Sequence, residues 1–262
     1  MKAMRRPPRA PRPPAAPRHA AELARIAGLR AVEALFERDP ERVERLFFLP
    51  AQQTAAAPFA ARLARARKPY RAVDAAELAR IAGSAMHGGI VAVARPRPIA
   101  VFDPADVARW ARHESLVVVL DGVSNPHNLG AIARTAAFFG VARLLLSEHP
   151  AQALPSDAAY RVAEGGLDRL DLVRVRLPGA LASLGRSFRT VATALDDRAQ
   201  PLGEVPRDRP VALVLGNEER GVPATTLSAC ASVARIPGGG GVQSLNVAAA
   251  AAIAIHLFAA LR

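Results

Sequence analysis

Cysteine occurs once in these 262 residues, as Cys230, so no intrachain disulfide framework exists and the chain suits a reducing, cytoplasmic setting. A lone thiol in an apolar stretch is core filler rather than a nucleophile. Aromatic residues reach only 5%, which leaves close-packed aliphatic helices on sheets as the source of any core. No run of about 18 apolar residues reads as a membrane span. The C-terminal segment comes nearest, and its His256 and small residues suit a buried helix. The first 18 residues lack the apolar segment of a secretory signal. Histidines lie scattered without ligand spacing among cysteines or carboxylates, so no metal is expected. Two nucleotide signatures are also missing. No Gly-x-Gly-x-x-Gly follows a first strand, and no Gly-Lys-Ser/Thr supports a phosphate loop, which excludes a Rossmann dehydrogenase and a P-loop enzyme.

Acidic residues are few against the basic ones. Thirty-five Lys and Arg face 23 Asp and Glu, giving +12 and a pI of about 11.4. Such a balance favours a polyanionic partner, RNA among them, and arginine's predominance over lysine suits forked phosphate contacts. Half of the excess, six charges, sits on Lys2, Arg5, Arg6, Arg9, Arg12 and Arg18 with no acidic residue between them. Residues 1–18, rich in Pro, Arg and Ala, are expected to be a disordered basic tail that adds nonspecific RNA affinity through counterion release or merely solubilises the chain.

The length allows two modest domains. From 19 to 94 the pattern is that of a small α/β domain, with helical spacing at Leu29–Phe36 and Phe59–Ala66 and strands at Val43–Leu49, Tyr70–Val73 and Ile90–Ala94. One nine-residue string, Ala-Ala-Glu-Leu-Ala-Arg-Ile-Ala-Gly, occurs at both 20–28 and 75–83, without the flanking similarity of a repeat. Residues 95–114 form a linker by composition, carrying Trp110 on a short helix. Beyond it, strand-length apolar runs at Leu116–Leu120, Ala142–Leu146, Leu172–Val175, Thr190–Leu195, Val211–Leu215 and Ser232–Ile236 alternate with helical segments at Ala131–Phe139, Asp157–Ala163, Ala180–Ser187 and Ala224–Ala229. This alternation predicts an α/β unit over 115–262 with a mostly parallel sheet covered on both faces. Its ligands belong beyond the carboxyl ends of the strands.

Three polar loops fall there. In the first, Asn128 is expected to cap a helix in which Arg134 lies between Ile132, Ala133, Ala136 and Ala137. A charge among apolar neighbours needs a partner or a pocket, and a pocket is the expectation. The second is the charged turn Gly216-Asn217-Glu218-Glu219-Arg220-Gly221. The third runs Ile236-Pro237-Gly238-Gly239-Gly240-Gly241-Val242-Gln243-Ser244-Leu245-Asn246-Val247, where glycines free the backbone to approach a ligand and Ser244 and Asn246 open a helix.

These three segments resemble, in order and spacing, the motifs of the SpoU/TrmH family of RNA ribose methyltransferases. Asn128-Leu129-Gly130-Ala131-Ile132-Ala133-Arg134-Thr135 is similar to the first, Gly216-Asn217-Glu218 to the second, and Val242-Gln243-Ser244-Leu245-Asn246-Val247 to the third. Gly238 stands where the family usually has a larger apolar residue, and Glu219 where glycine is common. Gly28–Leu35 and Ser84–Val91 also resemble the small RNA substrate-binding domain that precedes the catalytic domain in several members. The resemblance implies a trefoil knot in the catalytic sheet, a homodimer with active sites at the subunit interface, and S-adenosylmethionine as cofactor. It implies cofactor contacts from backbone around Leu195, Gly216, Ile236, Gly240 and Leu245. Asn128, Arg134, Glu218, Ser244 and Asn246 would form the catalytic constellation for methyl transfer to a ribose 2′-hydroxyl of transfer or ribosomal RNA. The alternative is a catalytically silent RNA-binding homologue acting in ribosome assembly; a small-molecule methyltransferase is disfavoured by the basic tail and extra domain.

Overall fold

The computed structural model describes residues 23–196 and 199–259. The expected basic tail at 1–18 lies outside them. Two sheets organise the chain. The smaller is built from β1 (Ala24–Ala27), α1 (Leu29–Arg38), β2 (Val43–Phe48), α2 (Gln53–Arg65), β3 (Tyr70–Ala72), α3 (Ala75–Ala82) and β4 (Ile90–Ala94). Its strand order is β1-β4-β2-β3, antiparallel except for the β2–β3 pair. Two of these elements, β1 and α3, were not expected, and each lies within one copy of the duplicated string. Ala-Arg-Ile-Ala is strand at 24–27 and helix at 79–82. Local context decides between them. Asp74 accepts a hydrogen bond from the Glu77 amide at 2.7 Å and Gly83 closes α3 in the left-handed region, whereas the first copy finds β4 as an antiparallel partner.

The larger unit starts earlier than its first long apolar run. β5 (Ala100–Val101) pairs with the far edge of the sheet, and α4 (Val107–His113) buries Trp110 against it. There follow β6 (Leu116–Asp121), α5 (Pro126–Phe138), β7 (Arg143–Ser147), α6 (Asp157–Ala163), α7 (Gly166–Arg169), β8 (Asp171–Val175), α8 (Gly179–Leu184) and β9 (Arg189–Thr193). The unit ends with β10 (Gln200–Pro201), β11 (Val211–Gly216), α9 (Ala224–Ala229), β12 (Ser232–Arg235) and α10 (Val247–Ala259). All eight strands are parallel, in the order β10-β12-β9-β11-β6-β7-β8-β5.

Period-two alternation gives the sheet two apolar faces. Val118, Leu120, Leu144, Leu146, Leu213 and Leu215 join one core with α5, α6 and α10, while Val117, Val119, Leu145, Ala212 and Val214 join Trp110, Leu181, Leu184 and Phe188 in the other. The first core continues into the small unit through Ile26, Val32, Leu35 and Leu46. Close approach is possible because Gly165, at φ +91, lies under α1, where an added Cβ would come within 2.9 Å of the Arg30 carbonyl oxygen. A buried ion pair crosses the same junction, Arg42 to Asp168 at 2.9 Å. Among the described residues no helix is long and apolar enough to cross a membrane.

Candidate active site

Parallel strands end together, so β6, β11, β9 and β12, adjacent in the sheet, deliver three loops to one edge. The first loop leaves β6 at Asp121, whose carboxylate accepts a buried 2.7 Å hydrogen bond from Thr226. Gly122 donates its amide to Gln152 at 3.0 Å, and the Gln152 side chain donates to the Val123 carbonyl at 3.2 Å. This fixes the next residues. The helix cap is Asn125 rather than the expected Asn128: its side chain accepts from His127 at 2.8 Å, and Pro126 occupies the first helical position. Asn128 is thereby carried into the first turn of α5, buried and turned toward the second loop.

Glu218 is the hub there. Its Oε2 accepts from the Ser124 amide and hydroxyl, both at 3.0 Å, and its Oε1 from the Asn125 amide at 3.1 Å and Asn128 Nδ2 at 2.8 Å. Desolvation works to raise this carboxyl, but the donors, Asn128 and the Ser124 amide foremost, outweigh it and hold the pKa down at about 2. The turn bearing Glu218 is closed by reciprocal backbone hydrogen bonds of 2.9 Å between Asn217 and Gly221. Gly221 takes the positive φ, +70, and Glu219 needs none, so the side chain at 219 is accommodated without strain. Gly216 tolerates no side chain, since a Cβ would stand 2.2 Å from the Gly221 carbonyl carbon and the Val222 nitrogen.

Asn246 completes the connection. Its Nδ2 donates to Asn128 Oδ1 at 3.1 Å while its Oδ1 accepts the Ala248 amide at 2.8 Å and caps α10. Three of the five expected catalytic residues therefore form one hydrogen-bonded chain, Asn246–Asn128–Glu218. Ser244 stays outside it, exposed in the glycine loop, and α10 begins only at Val247. Arg134 is also outside it, and the pocket expected for it is not there: it faces solvent and pairs with Glu164 at 2.9 Å. Burial by its apolar helix neighbours was the wrong inference, because Ile132, Ala133 and Ala136 occupy the inner side of α5 and Arg134 the outer. His87 is a turn residue, its Nδ1 accepting from Gly89 at 3.1 Å. Burial pushes the Cys230 thiol up to about 12, too high for a nucleophile at neutral pH.

The residues expected around the cofactor lie at the same edge. Leu195 follows the end of β9, which stops at Thr193; Gly216 ends β11; Ile236 follows β12; and Gly240 and Leu245 are in the loop to α10. The surroundings fit an adenosyl group. Gly238, Gly239, Gly240 and Gly241 have open space where a Cβ would be, and Leu195, Val242 and Leu245 present large exposed apolar side chains. Sequence reading missed Ser124, Asn125 and Gln152. Asn-Pro at 125–126 was the available signal for the first two, while nothing local marks Gln152.

The SpoU rRNA Methylase family model matches residues 115–256, and the model for RNA 2′-O ribose methyltransferase substrate binding matches 25–100. The chain belongs to the SpoU family. It is 33% identical over 240 residues to the 23S rRNA (guanosine-2′-O-)-methyltransferase RlmB of Acinetobacter baylyi, covering 87% of this chain and 94% of that one. Similarity to an RlmB of a Burkholderia species is also 33%, over 90% of this chain and 94% of that one. Among solved structures, an RNA 2′-O ribose methyltransferase superposes with a TM-score of 0.72 at 26% identity, over 94% of this chain and 90% of that one. An AdoMet-bound rRNA methyltransferase from Sinorhizobium meliloti gives 0.72 at 25% identity, over 91% and 87%. As a SpoU methylase the protein is an S-adenosylmethionine-dependent RNA 2′-O-ribose methyltransferase, and nothing favours the silent homologue.

Proposed function

We propose that this SpoU methylase modifies the ribose 2′-hydroxyl of a guanosine in 23S ribosomal RNA, acting in the cytoplasm as a homodimer. The observation that carries the catalytic reading is the Asn246–Asn128–Glu218 chain, which ties three loops together at one sheet edge. The choice of RNA follows the names of the relatives. Bound S-adenosylmethionine supplies the methyl group. Backbone around Leu195, Gly216, Ile236, Gly240 and Leu245 would hold it.

Glu218 is a poor proton acceptor, since its oxygens are already occupied and its pKa is held at about 2. It acts as a positioning residue that sets loop against loop. Arg134, already on the surface, would exchange Glu164 for the phosphate next to the target ribose and stabilise the charge on the 2′-oxygen as its proton passes to solvent water and the new O–CH3 bond replaces the donor's S–CH3 bond, with Ser244 and Asn246 orienting that oxygen. A partner subunit would bring these groups together. Large apolar side chains exposed on α5 and α10, Phe138 at 82% and Ile253 at 44%, support such a face. The trefoil knot belongs to the same reading, as does a division into a basic tail (1–18), an RNA-binding domain (19–94) and a catalytic domain over 115–262, onto whose sheet the stretch 95–114 adds β5 and α4 rather than serving only as a linker.

Unmodified 23S ribosomal RNA and transfer RNA incubated with the protein and S-adenosylmethionine, then digested to nucleosides for mass spectrometry, test the reading. 2′-O-methylguanosine from the ribosomal RNA alone is expected. Methylation only of transfer RNA, or on a base, would overturn it, and a monomeric mass in solution would remove the shared site.

A further inference from the structure

The small sheet has one face packed and the other only half covered. Ile26, Leu46, Phe48, Ile90 and Ala92 point into the core, and α3 covers part of the opposite face, over Ala27 and Val91. The rest of that face stays open. Antiparallel register sets Arg25 opposite Val93 and Arg45 opposite Val93, so one row across β1, β4 and β2 reads Arg-Val-Arg. In the next row Phe47 lies opposite Val91, at the edge of α3, which adds Arg80 and Ile81. All of these except the buried Val91, together with Leu23, line a cleft of about 350 Å³.

We propose that this cleft is a nucleotide subsite for the RNA substrate, with a base against Phe47 and Val93 and flanking phosphates on Arg45 and Arg80. The proposal rests on the RNA methyltransferase reading and names the face of the small unit that grips the RNA. Charge supports it first. Arg25 is paired with Asp157 at 3.1 Å, but Arg45 and Arg80 have no acidic partner among the described residues. Two uncompensated guanidinium groups beside an apolar floor match a phosphodiester chain with an unstacked base. Size supports it as well, since the volume falls within the range of about 300–1,000 Å³ usual for small-ligand clefts. Arg71, paired with Glu77, lies 5.6 Å from the Phe47 ring centroid and shows that this ring already accepts a planar cation. The basic residues of the chain's own tail would be repelled from such a site.

Placement supports it last. Asp157 opens α6, to which Arg25 is tied by both its backbone amide and its side chain. Helix α6 lies directly against α5, the helix that carries Asn128, and an added Cβ at Gly130 would fall 2.5 Å from the Ala159 carbonyl oxygen. One wall of the cleft is thus tied through α6 to the helix that carries Asn128.

The test uses the full chain with unmodified 23S ribosomal RNA transcript, measured by fluorescence anisotropy over a salt series and by steady-state methylation. Arg45→Ala/Arg80→Ala is compared with Arg186→Ala/Arg207→Ala, which removes equal charge from exposed positions elsewhere. In the first variant the RNA Kd and KM should rise about tenfold, and the salt slope should fall by about two, as two phosphate contacts are lost. Its kcat at saturating RNA and its S-adenosylmethionine Kd should not change. Phe47→Leu should weaken RNA binding at least about fivefold through lost stacking, with a wild-type salt slope. RNA affinity equal to wild type, or a loss no greater than in the Arg186/Arg207 control, would overturn the subsite. If the wild-type protein methylates no RNA, the functional reading fails, while the anisotropy comparison still decides whether the cleft binds the strand.

Discussion

Asn128 donates a 2.8 Å hydrogen bond to Glu218 across 90 residues of sequence, and this contact joins the helix after β6 to the turn after β11. Its other amide atom accepts from Asn246, so one side chain spans all three loops. An asparagine suits the position because it offers a donor to the carboxylate and an acceptor to the second amide at once.

Removing that bridge should impair chemistry more than folding. Asn128→Ala is expected to lower kcat/KM about 10²-fold through misplacement of the loops, and to cost about 1–3 kcal/mol of stability for the lost hydrogen bond to a charged partner. Glu218→Gln acts on the same unit, so the double variant should fall little further than Asn128→Ala alone. Steady-state kinetics on the four proteins measures this. Additive losses would mean the two residues work independently.

Acid should expose the hub directly. The Glu218 carboxyl is near 2 in the folded chain against 4.5 ordinarily, so its stabilisation is fully present above about pH 4.5 and is lost as pH falls toward 2. Urea midpoints measured between pH 3 and 6 should therefore decline more steeply in the wild type than in Glu218→Gln. Parallel declines would place the donors elsewhere.

Two glycines at the sheet edge should behave differently. Gly216→Ala drives a Cβ against backbone at 2.2 Å, where no flexible side chain can yield, so the turn bearing Glu218 must move; stability should drop by about 1–3 kcal/mol or more and S-adenosylmethionine binding should fail. Gly240 has open space and an ordinary φ. Its alanine variant should keep wild-type thermal stability, and a weakened S-adenosylmethionine Kd by titration calorimetry would then report the cofactor's approach rather than misfolding.

The architecture was largely legible because parallel strands buried on both faces leave apolar runs that polar loops interrupt, and all six runs proved to be strands. The strand over 190–195 ended two residues early, at Thr193. Short or context-dependent elements were not legible. Ala-Arg-Ile-Ala carries no information that separates β1 from α3; only the cap at Asp74 and the partner strand β4 do so. At the site, motif residues supplied the chain Asn246–Asn128–Glu218, but the direction of Arg134 depended on the phase of α5, and Glu164 and Gln152 approach from loops distant in sequence.

Arg134 provides the test of that exposed geometry. Its pair with Glu164 is more than half exposed on both sides, so Glu164→Ala should change stability by less than about 1 kcal/mol and leave turnover at or above wild type. Arg134→Lys keeps the charge but loses the fork, and its turnover should fall at least tenfold with S-adenosylmethionine affinity unchanged. Full turnover in the lysine variant would remove the bidentate phosphate clamp.

The junction between the two sheets makes the strongest stability prediction. Asp168 is fully buried, and burial pushes its carboxyl up despite Arg42, which donates to its Oδ1 at 2.9 Å and to the Tyr160 hydroxyl at 3.3 Å. Its Oδ2 has no hydrogen-bond partner among the described residues. Arg42→Met would leave this carboxylate without its hydrogen-bonded counter-charge and with only Arg97 nearby, at a cost of about 3 kcal/mol. Arg42→Met/Asp168→Leu removes both charges from the same site and should recover most of that loss, because desolvation offsets much of what the pair gains. Urea unfolding of the three proteins separates the alternatives: a single-variant loss below about 1 kcal/mol would mean that water reaches the pair and that apolar contacts alone hold the small sheet against the large one.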